Sequence, residues 1–355
     1  MIFKDKAKHN ERNSNLELYR IIVMLLIVAH HYVVNSGLGD VMTKEPLSAH
    51  SIFFYLFGAW GKTGINCFLM ITGYFMCKSQ ITWRKFLKLL FEVEFYKITI
   101  YAIFLLSGYE TFSVLGCIKS IIPMLDIRDG FTSCFLAFYL CIPFLNILIA
   151  NMDRKQHGLL VLLCLFIYTL HGTLPMMSVT MNYVSWFCVL YFIASYIRLY
   201  SLKQLNNVNW GGYSLLCIIV SAISIILILW INTNMGKHIS PYRLVSDSNA
   251  LMALLTAICS FMFFKDLKIP YNRFINTVGA STFGVLLIHA NSDTMRQWLW
   301  KDIVNCAGHY DTAFFRLYAF ISILIIFFAC IVIDYIRINT VEKIFFKYLD
   351  KIIRK

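Results

Sequence analysis

NLELYRIIVMLLIVAHHYVVNSG, residues 15–37, is the stretch that decides the fold class. Its apolar run has about the twenty residues that an α-helix needs to cross a bilayer. It also holds Glu17, Arg20, His30 and His31. Ionisable groups at membrane depth are costly, so each marks a candidate functional position. At 3.6 residues per turn, Arg20 and His31 fall within about 20° of one face; Glu17 lies about 40° to the other side of His31 and His30 about 80° from Arg20. The rise from Arg20 to His31 is about 16 Å. One face therefore carries a charged pair towards one membrane surface and an imidazole towards the other. Glu17 and Arg20 also suit a plain i,i+3 ion pair, and a buried histidine also suits hydrogen-bonded packing. Two adjacent histidines favour one of them facing a polar cavity, and imidazole titrates where a general base must.

The rest of the chain repeats the apolar pattern. Of 355 residues, 59% are hydrophobic, 16% aromatic and only 14% charged, against about 25% charged in a soluble domain. The mean hydropathy is +0.67. This excludes a disordered chain, a coiled coil and a nucleic-acid-binding domain, and points to an all-α, polytopic integral membrane protein. Ten segments read as spans: 16–35, 52–76, 88–107, 132–150, 158–172, 183–199, 212–231, 248–264, 275–291 and 313–334. The fifth and ninth are the weakest. With the N-terminus inside, the inner segments carry 21 Lys and Arg and the outer ones 7. That bias is the positive-inside pattern. It puts both termini in the cytoplasm and accounts for the net charge of +13 without nucleic acid as a partner.

A polar, basic segment, 1–15, precedes the first span; without a small-residue cleavage site, that span reads as retained rather than as a signal peptide. The tail, about 335–355, has Ile344, Phe345, Tyr348 and Ile352 among lysines, as in an amphipathic helix on the inner leaflet. The whole chain, 1–355, reads as a single transmembrane domain. Its eleven cysteines include no C-x-x-C pair, which implies neither a metal site nor a disulfide framework. Trp186 and Tyr191 suit an interfacial aromatic belt, and Trp298 and Trp300, with Arg296 and Lys301, suit either anchors of the last outer loop or sugar stacking.

Four stretches together resemble a known family. Leu16-Glu17-Leu18-Tyr19-Arg20, with His31 eleven residues on, resembles the first-helix motif of the bacterial membrane acyltransferase 3 family, the polysaccharide and envelope O-acyltransferases. CFLMITGYFM, 67–76, resembles its F-F-x-x-S-G-F-L run, with Thr72 in place of serine. WRKFLK, 83–88, stands where the family has R-x-x-R, here Lys85-x-x-Lys88 beside Arg84. STFGVLLIH, 281–289, resembles its late signature, with Leu286 where tyrosine is usual.

The resemblance implies about ten helices and transfer of an acyl group, most often acetyl, from cytoplasmic acetyl-CoA to a hydroxyl of an envelope polysaccharide or lipid-linked glycan. It implies His31 as general base, with His30 as the alternative, and Glu17 and Arg20 orienting the donor or bracing the site. Arg84, Lys85 and Lys88 would neutralise CoA phosphates, although lysine lacks the bidentate fork of arginine. His289, with Asp293 one turn on, would sit at the acceptor entrance or cap the outer rim. No metal is expected, and the location is the bacterial inner membrane, with lipid as a partner. A transporter or polymerase of polysaccharide intermediates is the rival reading. The first should show matched helix breaks and the second a large outer loop; neither stands out.

Overall fold

The computed structural model describes residues 13–353, apart from 126, 128, 129, 175, 176, 178 and 201–206. The N-terminal Lys4, Lys6, Lys8 and Arg12, together with Arg128, Lys203, Arg354 and Lys355, lie outside the described residues, as does the side chain of Ile352.

Among the described residues there is no strand. In chain order the elements are α1 (Ser14–Val34), α2 (Leu38–Met42), α3 (Ala49–Phe57), α4 (Gly61–Met76), α5 (Trp83–Leu106), α6 (Val114–Ile121), α7 (Phe131–Ala150) and α8 (Arg154–Cys164). A wider π turn, Leu165–Leu170, carries α8 into α9 (His171–Thr173). Then come α10 (Tyr183–Leu199), α11 (Trp210–Met235), α12 (Leu251–Asp266), α13 (Arg273–Ala280), α14 (Thr282–His289), α15 (Asp293–Gln297), α16 (Phe315–Arg337) and α17 (Lys343–Ile353). All ten apolar segments are helical, but 52–76 is broken between α3 and α4 and 275–291 between α13 and α14. Among the described residues five runs are long and apolar enough to cross a membrane: Ser14–Val34, Phe131–Ala150, Arg154–Thr173, Trp210–Met235 and Phe315–Lys351.

Local chemistry sets many helix starts. Ser48, Thr82, Asn182, Asn209 and Ser292 each accept a backbone N–H of the first turn, satisfying a donor that the helix leaves orphaned. Asp153 and Gln156 form a reciprocal capping box. It starts the fifth segment at Arg154, four residues earlier than its apolar run, which corrects the expectation of a short fifth span.

The polar first span is the centre of the bundle. Helix α1 packs on α4, α12, α13, α14 and α16, while α11 packs mainly on α12 at the periphery. The best span window of α1 has hydropathy 1.6 and is 50% buried; that of α11 has 2.9 and is 17% buried. This order is the reverse of a soluble core. Lipid accepts the most apolar helix, and the helix with ionisable groups must be enclosed by protein. Leu215, Ile219, Ile223 and Leu227 accordingly stand exposed along α11.

Two expectations need correction. Trp186 and Tyr191 are not belt residues but fully buried; the Trp186 indole donates to Asn66 Oδ1 at 2.8 Å, and Asn66 donates to the Ser248 carbonyl at 2.6 Å. Trp300 is also buried, its ring lying edge-on to Tyr32 and His289. The tail, expected as an amphipathic helix, is helical and leaves Ile344 and Tyr348 exposed. It continues from α16 through a π turn, Ile338–Glu342, and runs on alongside α5, with Phe345 stacked on Phe91 at 4.2 Å and Phe346 buried.

Candidate active site

His31 leaves the last full turn of α1 and meets His289, the last residue of α14, 258 positions later. His31 Nδ1 and His289 Nε2 are 2.9 Å apart. The partners fix the tautomers. His289 Nδ1 lies 2.6 Å from the Val285 carbonyl, which can only accept, so Nδ1 carries the proton. In the neutral ring Nε2 is then bare and must accept from His31 Nδ1–H. That leaves the lone pair of His31 on Nε2, and His31 lines a cavity. A base with one nitrogen free and the other oriented by a buried partner is the arrangement that proton abstraction requires.

His30 is held differently. Its Nδ1 donates to the Gly58 carbonyl at 2.6 Å, a group exposed by the break between α3 and α4. Irregular backbone at membrane depth persists where it lines a cavity or is buried in protein. The break also needs Gly61: a Cβ there would stand 2.2 Å from the His30 ring. On the other side, Gly284 lets α14 approach α16, since a Cβ there would meet the Asp334 carboxyl at 2.3 Å. This contact and the packing of Trp300 on His289 fix where the second imidazole stands.

The cavity encloses about 770 Å³, within the range of small-molecule sites. His30, His31, Lys62, Lys97, Tyr183 and Arg296 are among its lining residues. Lys62 Nζ donates to the Tyr183 hydroxyl at 2.5 Å and stands 5.2 Å from that ring's centroid. Sequence reasoning passed over Lys62 and Lys97, although both are cations inside apolar segments, the same signal that drew attention to Arg20.

A family profile described as an acyltransferase domain matches residues 13–335. The chain belongs to the acyltransferase 3 family. No curated protein and no solved structure gives a match.

In this acyltransferase His30, His31 and His289 converge, but the other expected residues do not join them. Asp293 does not continue the helix of His289, because α14 stops there; it opens α15 and pairs with Arg296. His289 itself is fully buried behind His31, which corrects the expectation that it lies at the acceptor entrance. Glu17 and Arg20 form an ion pair at 3.5 Å at the opposite end of α1, where Glu17 packs against Gly279 of α13. About 16 Å of helix rise separates Arg20 from His31, so neither reaches the imidazole.

The basic motif at 84–88 also lies at that far end and is engaged by the tail. Arg84 pairs with Asp350, and Lys88 Nζ is 2.6 Å from Glu342 Oε1. Lys85 donates to Ser79 Oγ and the Gln80 carbonyl at 2.8 and 2.7 Å. Beside them Arg337, 2% exposed, binds Asp334, Glu342 and Glu92 at 2.9, 2.8 and 3.1 Å. Tyr96 donates to Asp334 at 2.8 Å. Among the described residues no cluster of His, Cys, Asp or Glu could hold a metal ion.

Proposed function

We propose that this acyltransferase is a ten-span protein of the bacterial inner membrane with both termini cytoplasmic, and that it moves an acetyl group from cytoplasmic acetyl-CoA to a hydroxyl of an envelope polysaccharide or its lipid-linked precursor. The observation that carries the reading is the His31–His289 contact, which leaves Nε2 of His31 unengaged on a residue that lines the cavity. Nε2 takes the acceptor hydroxyl proton as the oxygen attacks the thioester carbon. The carbon–sulfur bond breaks, and the departing thiolate recovers the proton from the imidazolium. His289 accepts from His31 Nδ1–H throughout, which stabilises the charged ring. In the same reading Arg84, Lys85 and Lys88 meet the donor phosphates, Arg84 and Lys88 in place of their contacts to Asp350 and Glu342, and the pantetheine arm runs along α1 towards His31.

The test compares ester-linked acetyl groups on envelope glycan from cells with the native chain, a deletion and His31→Ala, by NMR before and after mild base. Loss of the esters in both variants, with glycan length unchanged, is expected. A glycan that is absent or shortened in the deletion would instead assign a transporter or polymerase.

A further inference from the structure

The cavity is charged as well as polar. Among the described residues Lys62, Lys97, Lys119 and Arg296 line it, with two carboxylates, Glu110 and Asp293. Asp293 is paired with Arg296. Lys62 is held by a phenol, and among the described residues neither Lys62 nor Lys119 has a carboxylate within ion-pair distance. Cations gathered in a concave, low-dielectric wall repel one another and focus a positive potential into it. The first turns of α4 and α7 also contribute wall residues, Gly61, Lys62 and Gly130 to Ser133, and neither helix has a side-chain N-cap. Their orphan N–H groups add to the same sign of field.

We infer that the acceptor carries an oxyanion, a phosphate or a carboxylate, bound by Lys62 and its neighbouring cations while its hydroxyl faces His31. The inference rests on the acyl-transfer reading above and narrows its substrate class. The donor's own phosphates are the other source of such chemistry. They fit this place poorly, because the pantetheine arm keeps them far from the thioester, whereas Lys62 adjoins Gly61, whose Cα faces the His30 ring. In the reading above, the donor's phosphates fall to Arg84 and Lys88 at the opposite end of the bundle, where these cations pair with Asp350 and Glu342.

The experiment uses the full chain in lipid nanodiscs with acetyl-CoA and three acceptor probes: a neutral hexose, the hexose 6-phosphate and the hexuronate. Product ester and released CoA are both measured. The expected result is kcat/KM for at least one anionic probe about tenfold or more above the neutral hexose, the size of a charge-assisted contact. Lys62→Gln should bring that ratio close to one by raising the acceptor KM; Lys62→Arg should keep it. Equal use of all three probes, with His31-dependent CoA release, overturns the anionic acceptor and leaves acyl transfer standing. A Lys62→Gln variant whose KM rises for acetyl-CoA and not for acceptor overturns it as well, since the cations would then serve the donor. Absence of His31-dependent CoA release with every probe overturns the acyl-transfer reading, and this inference with it.

Discussion

The two ends of the helical bundle use charge in opposite ways. At the far end Arg337 is enclosed by Asp334, Glu342 and Glu92, and Lys88 shares Glu342. Each of these charges answers a neighbour, and the cluster ties α5, α16 and the tail together. At the histidine end Lys62 has a phenol for a partner and His31 keeps one nitrogen unengaged on a cavity. The buried charges around Arg337 hold elements in place, while half-exposed Lys88 at their edge serves the donor in the reading above; the sparsely partnered groups at the histidine end are available to a ligand. A buried ion cluster therefore marks architecture here, and the sparsely partnered groups mark chemistry.

Breaking the histidine end should have the largest effect. His31→Ala should lower acetyl transfer by about 10²–10⁴-fold, the usual contribution of general base catalysis, with folding intact by size-exclusion profile. Retained turnover would move the base to His30, and the parallel His30→Gln variant decides between the two.

Next is the far end. Arg337→Met leaves three carboxylates around an uncharged side chain and should destabilise the fold by about 3–5 kcal/mol. The readout is thermal unfolding in nanodiscs, with transfer activity per folded molecule retained. Loss of activity without loss of stability would mean that this cluster is not purely architectural.

His289 sharpens the contrast because it is buried like Arg337 yet belongs to the histidine end. His289→Phe should cut kcat by about tenfold or more, since His31 then loses the acceptor that fixes its tautomer and orientation, with acceptor KM little changed. A change in KM alone would return His289 to acceptor binding.

The smallest effect belongs to the surface pair of Arg84 and Asp350. Asp350→Asn should leave the melting temperature within error, as exposed pairs are screened. If Arg84 serves the donor, this variant should lower the KM for acetyl-CoA slightly by removing a competitor; an increase would argue against donor binding there.

Much of the local structure was legible in the sequence. Helical periodicity put Glu17, Arg20 and His31 on one side of α1, and the apolar runs marked the segments that are helical. Periodicity is a property of neighbours along the chain, so it could not say that His289 lies behind His31, or that Arg20 has no part in the cavity. The burial of Trp186 and Trp300 was misread for the same reason. An aromatic near a span end fits a lipid interface, and only a long-range acceptor such as Asn66 draws it inside. Lys62 and Lys97 were visible as charges in apolar segments, but nothing local told them from topological lysines.

The sequence by itself determined the all-helical, apolar character of the chain, the ten helical segments, the family and the histidines as the candidate reactive groups. These follow from composition, hydrogen-bonding periodicity and short motifs, all of which act within a few turns of chain. Tertiary structure decided which histidine nitrogen is free, which cations face the cavity and which are neutralised by the tail. Those properties depend on contacts between helices hundreds of residues apart, where the close approaches at Gly61 and Gly284 set side-chain geometry to within an ångström.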